Sequence, residues 1–189
     1  MPVTKQESLW ILRAQSGDRD ALDAILKWVQ APLHRYLTSM LRDPVDADDA
    51  LQEVFMRIYR KLRWLRNPDL FRAWCYRIAS REALRRLQSR SRRREEPWNE
   101  AQQATMPAPA AGDDFDAGEL AALEPYLARV SPASREVLVL HYGHGLVLDD
   151  VANILGLAPG TVRSRLAYGL AALRSQPQLF AAEKSRVTE

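Results

Sequence analysis

The amino-acid sequence predicts an all-α protein: two small helical domains joined by a flexible acidic linker, with a helix-turn-helix in the C-terminal domain. Three observations predict this fold class. Apolar residues recur at spacings of three and four in both halves of the chain, which is the period of an amphipathic helix. No segment of useful length alternates apolar and polar residues, so strands are not expected. Between the two helical blocks, a stretch rich in proline, alanine, glycine and acids loses the periodicity.

The chain of 189 residues is expected to form four parts. They are a helical domain over residues 1–94, the acidic linker over 95–118, the helix-turn-helix domain over 119–176 and a tail over 177–189. The formal net charge is only +3, but it is unevenly distributed: +7 over residues 1–96, −6 over residues 97–124 and +2 over residues 125–178. The three segments are therefore physically different, and only the middle one resembles a solvated tether.

Composition and sequence pattern indicate the cellular compartment of the protein. With 47% hydrophobic and 27% charged residues, the chain can form a packed core. No run approaches the roughly 18 to 20 apolar residues of a membrane span, and "MPVTKQESLW" lacks the pattern of a signal peptide. The single cysteine, Cys75, is typical of a reducing compartment, and its mid-helix position predicts a buried thiol. We therefore expect a cytoplasmic protein without membrane insertion.

The N-terminal block is predicted to form helices separated by proline turns. An apolar stripe from Leu22 to Val29 predicts a helix with Ser16 or Asp18 as its N-cap, and Pro32 is expected to kink or split it. "RDPVDADDA" is typical of a turn followed by an acid-rich helix start. The next stripe contains Leu51, Val54, Phe55, Ile58, Leu62 and Leu65. "RNPD" ends that helix, and a last one is expected from about Phe71 to about Arg90.

The C-terminal block carries a helix-turn-helix pattern. Ser131 and Pro132 are typical of the N-cap and first position of a helix that Gly143 or Gly145 ends. "LDDVANIL" is a short helix closed by Gly156, "GLAP" is the turn, and residues 160–174 form the second helix. On that helix, the face opposite the apolar one carries polar and cationic side chains, as a DNA-reading helix requires: Arg163, Ser164, Arg165 and Tyr168. Taken alone, the same pattern also fits a solvated helix of a small bundle.

A longer stretch resembles a known family. "SPASREVLVLHYGHGLVLDDVANILGLAPGTVRSRLAYGLAALR" resembles the promoter-binding domain of bacterial sigma factors of the extracytoplasmic-function (ECF) group, and also the DNA-binding domain of quorum-sensing and response-regulator activators. The first half discriminates between them. "DPVDADDALQEVFMRIYRKLRWL" and "FRAWCYRIASREALRRLQSRSRRR" resemble the ECF domain that binds core polymerase and recognises the minus-ten element, whereas a response regulator would need an α/β receiver there.

The resemblance implies that one exposed helix face binds the clamp helices of the polymerase β′ subunit. Its residues are Asp49, Gln52, Glu53, Met56 and Arg60. Without the resemblance, a merely solvated polar face would be the simpler interpretation. A leucine is usual in the family where Ala50 stands, and we expect this change to remove apolar contact area from the docking surface.

The minus-ten element is expected to meet the segment "RKLRWLRNPDLFRAW". Cations there neutralise phosphates, and aromatic faces stack unpaired bases. By resemblance, the loop from about Trp64 to Leu70 captures non-template bases, with Arg66 and Asn67 as base readers. Core packing is the preferred interpretation for Trp74. A stripe along the following helix is expected to contact duplex DNA upstream. The predicted minus-ten residues are Arg63, Trp64, Arg66, Asn67, Arg77, Arg81 and Arg85.

The minus-thirty-five element is expected to meet the second helix of the helix-turn-helix, with a phosphate contact from Arg135. The predicted residues are Arg135, Thr161, Arg163, Ser164, Arg165 and Tyr168. Two positions depart from the family, since Tyr168 replaces a basic residue and Ala167 a larger side chain. We therefore expect this domain to bind DNA poorly without the first.

The function that the resemblance implies is that of a sigma factor, which directs core RNA polymerase to promoters and assists melting. Its partners would be the β′ and β subunits, promoter DNA and an anti-sigma protein, and the linker would enter the RNA path or act as a plain tether. Two alternatives are a stand-alone helix-turn-helix regulator and an all-helical adaptor. No phosphate loop, nucleophile or paired carboxylates support an enzyme, and no cofactor or metal is expected, although His141 and His144 form an HxxH pair.

Overall fold

A computed structural model of the chain describes residues 3–93 and 126–175. Within these ranges every regular element is helical, which confirms the predicted fold class, and none of the helices is long and apolar enough to cross a bilayer. The chain divides into two compact units, the first containing residues 3–93 and the second most of residues 126–175. The predicted linker (95–118) and tail (177–189) lie outside the described residues, so the domain boundaries stay predictions.

Four α-helices build the first unit. They are α1 (Lys5–Gln15), α2 (Arg19–Leu41), α3 (Pro44–Lys61) and α4 (Phe71–Arg93). Two 3-10 turns, Leu62–Trp64 and Pro68–Leu70, connect α3 to α4. The long helix α2 packs against α1, α3 and α4, while α3 also packs against α4. Fully buried side chains from all four helices form the core, among them Ile11, Ile25, Tyr36, Met40, Ile58 and Phe71.

Helix α2 decides between the two N-cap candidates and contradicts the split expected at Pro32. Asp18 is the N-cap, because its carboxylate accepts a hydrogen bond from the Ala21 N–H at 3.0 Å. The expected split at Pro32 is wrong, since α2 continues as one helix to Leu41. Proline removes only the hydrogen bond to the carbonyl of Trp28, and the buried side chains on both sides of Pro32 keep the helix on the core.

Helix α1 was not predicted, although its start carries a recognisable signal. Thr4 and Glu7 form a capping box: the Glu7 N–H donates to Thr4 Oγ1 at 3.2 Å, and the Thr4 N–H donates to Glu7 Oε2 at 2.6 Å. The spacing "TKQE" before an apolar residue was therefore sufficient to place a helix there. This helix packs on α2 and on both 3-10 turns.

The second unit contains a 3-10 turn and three α-helices among the described residues. The turn is Tyr126–Arg129, and the helices are α5 (Pro132–Leu138), α6 (Leu148–Leu155) and α7 (Pro159–Arg174), with α5 continuing into a π-helical segment, Val139–Gly143. Ser131 caps α5 by accepting the Ser134 N–H at 3.2 Å, as predicted. Gly156 ends α6 with φ at +68°, a conformation that favours glycine and turns the chain toward α7.

Helix α5 approaches α7 closely at Gly169, and this contact gives a stability prediction. A Cβ at position 169 would lie 2.7 Å from Leu138 Cδ1, and Leu138 is fully buried. Gly169→Val should therefore lower the free energy of unfolding of the second unit by about 1–3 kcal/mol through overpacking. Gly160→Val on the same helix is the matched control, because a Cβ there meets no atom within 4 Å.

The measurement is chemical denaturation followed by helical circular dichroism. Residues 126–175 contain no tryptophan, and Trp98, which lies outside the described residues, is replaced by phenylalanine in every variant. Tryptophan fluorescence then reports the unfolding of the first unit separately from that of the second. Equal midpoints for the two valine variants would contradict the close approach of α5 and α7.

Candidate functional site

The outer face of α3 exposes all five residues that were predicted to bind polymerase. We call this set the docking face: Asp49, Gln52, Glu53, Met56 and Arg60. The opposite side of the helix is buried, with Val54 and Ile58 fully shielded. Tyr59, which is 61% exposed, extends the apolar contact beyond Met56. The prediction missed Tyr59, although its position three residues after Met56 puts it on a neighbouring part of the helix surface.

Ala50 is not part of the docking face. Its side chain is fully buried in the core of the first unit, next in sequence to the buried Leu51. The expectation that Ala50 removes docking area is therefore wrong. A small residue at this position affects how closely α3 packs on its neighbours, and it leaves the exposed surface unchanged.

The segment between α3 and α4 forms a pocket of about 480 Å³. Its lining residues are Lys61, Trp64, Leu65, Arg66, Asn67, Leu70 and Trp74. Indole rings and leucine side chains supply apolar walls, and the lysine, arginine and asparagine supply polar and cationic groups. Trp74 also contacts the buried ring of Phe71, with 6.2 Å between ring centroids. It therefore serves both the core, as preferred from the sequence, and the pocket.

Two contacts fix polar groups at the pocket. The guanidinium of Arg63 lies 4.6 Å from the ring centroid of Trp64, which is a cation–π arrangement on a ring that is 66% exposed. Asn67 Oδ1 accepts a hydrogen bond from the Asp69 N–H at 2.9 Å. The amide NH₂ of Asn67 has no partner among the described residues and stays available to donate. The exposed ring and the free amide donor suit a flat, hydrogen-bonding ligand.

The predicted arginine stripe on α4 is exposed at Arg77, Arg81 and Arg85. Within the first unit, Arg85 pairs with a carboxylate. Its guanidinium donates to both carboxylate oxygens of Glu82, at 2.6 and 3.0 Å. The side chain of Arg85 is nevertheless 58% exposed. The stripe can therefore reach phosphate, with Arg85 carrying a charge that Glu82 partly neutralises.

Glu82 is the centre of an ionic cluster that the sequence analysis missed. Its side chain is fully buried and also binds Arg57 at 2.8 Å and Arg86 at 2.7 Å. Arg86 reaches Asp46 as well, which in turn accepts from Arg90 at 2.5 Å. We call these residues the Glu82 cluster: Asp46, Arg57, Glu82, Arg85, Arg86 and Arg90. It joins α3 to α4.

The arginines determine the protonation of Glu82. Burial raises the pKa of this carboxyl, but hydrogen bonds from Arg85 and Arg86 and the charge of Arg57 outweigh burial and hold the pKa below its ordinary value of 4.5. The hydrogen bond to Glu82 in turn raises the pKa of Arg85. Glu82 is therefore ionised throughout the neutral range.

In the second unit, α6 and α7 form the predicted helix-turn-helix. Arg163 is exposed, and Thr161, Ser164 and Arg165 are half-buried. The Ser164 hydroxyl donates to the Thr161 carbonyl at 3.0 Å, so toward a ligand it can act only as an acceptor. Within the predicted set, Arg163 and Arg165 are the two cations that the first half of α7 contributes.

Two predicted DNA contacts do not fit the structure. Arg135 is only 6% exposed, and its Nη2 donates to the Val130 carbonyl at 3.0 Å, so this arginine holds the turn before α5 and does not face phosphate. The Tyr168 hydroxyl is buried without a hydrogen-bond partner among the described residues, which removes it from the reading face. Ala167 is buried as well. We therefore exclude Arg135 and Tyr168 from the candidate DNA contacts.

The remaining chemically active side chains serve the fold. Cys75 is buried as expected, and burial raises the pKa of its thiol far above the ordinary value. His141 Nδ1 lies 2.7 Å from the Leu146 carbonyl, so this ring nitrogen ties the end of α5 to the following loop. Across the described ranges, no group of three or more His, Cys, Asp or Glu side chains is arranged to hold a metal.

Comparison with known proteins finds matches for both units. Residues 27–93 match the family model described as Sigma-70 region 2, and residues 126–175 match the model described as Sigma-70, region 4. The RNA polymerase sigma-H factor of Pseudomonas aeruginosa is 29% identical over 175 residues, covering 88% of this chain and 91% of that protein. The ECF RNA polymerase sigma factor SigW of Bacillus subtilis is 28% identical over 178 residues, covering 88% and 94%.

Two solved structures share the fold. The sigma factor RpoE of Bartonella quintana, solved with the anti-sigma factor NepR, has a TM-score of 0.62 at 21% identity and covers 80% of this chain and 93% of its own. CnrH, solved with the cytosolic domain of CnrY, has a TM-score of 0.64 at 24% identity and covers 93% and 97%.

Proposed function

The chain belongs to the sigma-70 family, as a sigma factor of the extracytoplasmic-function group that directs RNA polymerase to promoters, and we propose that three surfaces divide this work. The docking face binds core polymerase, the pocket between α3 and α4 holds an unpaired base of the minus-ten element, and α7 reads the minus-thirty-five duplex. The observation that carries this proposal is the pocket, because a site with aromatic walls and amide and cationic groups suits a single flipped base.

The docking face suits a helical partner. It combines two carboxylates, an amide, an arginine and the adaptable thioether of Met56 along one side of α3. The clamp helices of the β′ subunit are the proposed partner. Since Glu82 and its arginines tie α3 to α4, docking also fixes the pocket relative to polymerase.

Promoter melting in this proposal is differential binding and involves no chemistry. Extruding a base costs a few kcal/mol, and the pocket offsets this through stacking on Trp64 and hydrogen bonds from Asn67 and Arg66. Arg77 and Arg81 hold the adjacent duplex by its phosphates. The open strand is then favoured because only an unpaired base enters the pocket.

In this proposal the second unit binds DNA more weakly than the first. With Arg135 and Tyr168 excluded, Thr161, Arg163, Ser164 and Arg165 carry the proposed minus-thirty-five contacts. Two weak DNA-binding surfaces on one chain are sufficient, because binding of the first raises the effective concentration of the second.

The proposed regulator is an anti-sigma protein that covers the docking face, by analogy with the solved structures bound to NepR and CnrY. The proposed place of action is the cytoplasm.

The test is transcription by core polymerase with the purified chain on a library of promoters randomised at both elements. We expect transcripts enriched for one sequence at each element, and none when the chain is omitted. DNA binding without polymerase and without transcripts would instead indicate a stand-alone regulator. Absence of both activities would indicate an adaptor.

The docking face gives a second expected result. The double substitution Asp49→Lys and Glu53→Lys reverses two exposed carboxylates, and affinity for core polymerase should fall about 10-fold to 100-fold, since reversed charges oppose their former partners. The control with the same charge change is Asp20→Lys with Asp23→Lys on the exposed side of α2. Equal polymerase affinity for the two double variants would place the docking surface elsewhere.

A further inference from the structure

We infer that Gln15, the last residue of α1, is a positioning residue that sets the shape of the base pocket. Its side chain does not line the pocket. Gln15 Nε2 donates to the Leu62 carbonyl at 2.9 Å and to the Leu65 carbonyl at 2.7 Å, across 47 and 50 residues of sequence. Both hydrogens of one amide are thus used on the backbone of the segment that forms the pocket.

The two carbonyls that Gln15 binds lie on either side of the residues that carry the proposed base stacking. Leu62 and Leu65 stand on either side of Arg63 and Trp64, the stacked pair at the pocket. Leu65 itself lines the pocket, and Leu62 is the C-cap of α3. Carbonyls at a helix end have no partner within the helix, so an external donor adds to the local bonds that hold the chain direction there.

The pocket segment has only short-range bonds of its own. The Leu65 N–H donates to the Leu62 carbonyl at 3.0 Å, and the Leu70 N–H donates to the Asn67 carbonyl at 3.2 Å. Each bond closes one turn on itself, and neither connects the two turns. Helix α1 packs on both turns, and the Gln15 amide is the polar tie from that helix to the first.

The consequence is specificity from a residue remote in sequence. A pocket discriminates between bases only while its walls and donors keep their positions, because a loose site accepts several bases with similar free energy. Gln15 would therefore affect the choice of base at the minus-ten element and leave minus-thirty-five recognition unchanged. This inference rests on the proposed function, since it deepens the role of the same pocket.

The test compares Gln15→Met, which keeps length and removes both donors, with Gln15→Glu, which sets an acceptor against two carbonyls. Gln6→Met on an exposed part of the same helix is the matched control. In the free full-length chain, hydrogen exchange of residues 62–70 should become about threefold to tenfold faster in Gln15→Met, the range expected for lost hydrogen bonds. Gln15→Glu should show a larger effect.

The second readout is the promoter library with core polymerase. Preference at one minus-ten base should flatten by about threefold to tenfold in Gln15→Met, with the minus-thirty-five preference and polymerase affinity unchanged. Unchanged exchange in residues 62–70, or faster exchange with an unchanged minus-ten preference, would overturn the inference. An equal loss at both promoter elements would also overturn it, because that indicates general destabilisation. If the unsubstituted chain gives no transcripts, the result contradicts the proposed function itself and not only the role of Gln15.

Discussion

Replacing Glu82 by glutamine is expected to lower the free energy of unfolding of the first unit by about 2–3 kcal/mol at neutral pH. The substitution keeps the shape of the side chain and removes the anion that Arg57, Arg85 and Arg86 share. Removing one partner of a fully buried ion pair costs about 3–5 kcal/mol. The expected loss is smaller here because Arg57 and Arg85 are 32% and 58% exposed and regain part of their hydration.

The same substitution should change the response to acid. The pKa of Glu82 in the folded chain lies below its ordinary value of 4.5, so the stabilisation is fully present above that pH and is lost as the pH falls through the folded value. The stability difference between the unsubstituted chain and Glu82→Gln should therefore be largest near neutral pH and shrink in acid.

Denaturant unfolding followed by tryptophan fluorescence measures this difference. Four of the five tryptophans, Trp10, Trp28, Trp64 and Trp74, lie in the first unit, and the fifth, Trp98, is replaced by phenylalanine in all variants so that the signal comes from this unit. Glu53→Gln, on the exposed docking face, is the control and should change stability by less than about 0.5 kcal/mol. A difference between the Glu82 variant and the unsubstituted chain that stays constant from pH 7 to pH 3.5 would contradict the role assigned to the ionised carboxylate.

The Glu82 cluster also shows what the sequence could and could not predict. Cys75, Ile78 and Glu82 fall at helical spacing on the inner side of α4, so the burial of Glu82 was predictable, as were its neighbours Arg85 and Arg86. The bonds to Arg57 and Asp46 join residues about 25 to 40 positions apart, and only the packing of α3 on α4 brings them together.

Local rules were sufficient elsewhere. The cap at Ser131, the glycine that ends α6 and the exposed docking face all follow from side-chain chemistry within one helix or turn. The same local reasoning gave a wrong prediction for Arg135. An arginine in the first turn of a helix looks free to bind phosphate, but here backbone carbonyls of the preceding turn accept its hydrogen bonds in the interior. Burial of an arginine depends on tertiary contacts that periodicity does not encode.

The pocket gives the second prediction with a large expected effect. Trp64→Ala should reduce the formation of open promoter complexes by about 5-fold to 150-fold, because base–aromatic stacking contributes about 1–3 kcal/mol per base. The ring is 66% exposed, so the substitution removes little from the core and should leave stability near that of the unsubstituted chain. Trp64→Phe keeps an aromatic face and should retain most of the activity.

The measurement is permanganate reactivity of unpaired thymines at the promoter selected from the library, with core polymerase and each variant. Leu9→Ala on α1 is the control, since Leu9 is also a large exposed side chain, at 52%, and lies outside the pocket. On a template with a pre-melted minus-ten region, the defect of Trp64→Ala should become smaller but persist, because the polymerase no longer has to open the duplex while stacking is still lost. Unpaired thymines that form equally fast with Trp64→Ala and the unsubstituted chain would show that the pocket does not hold a base during melting.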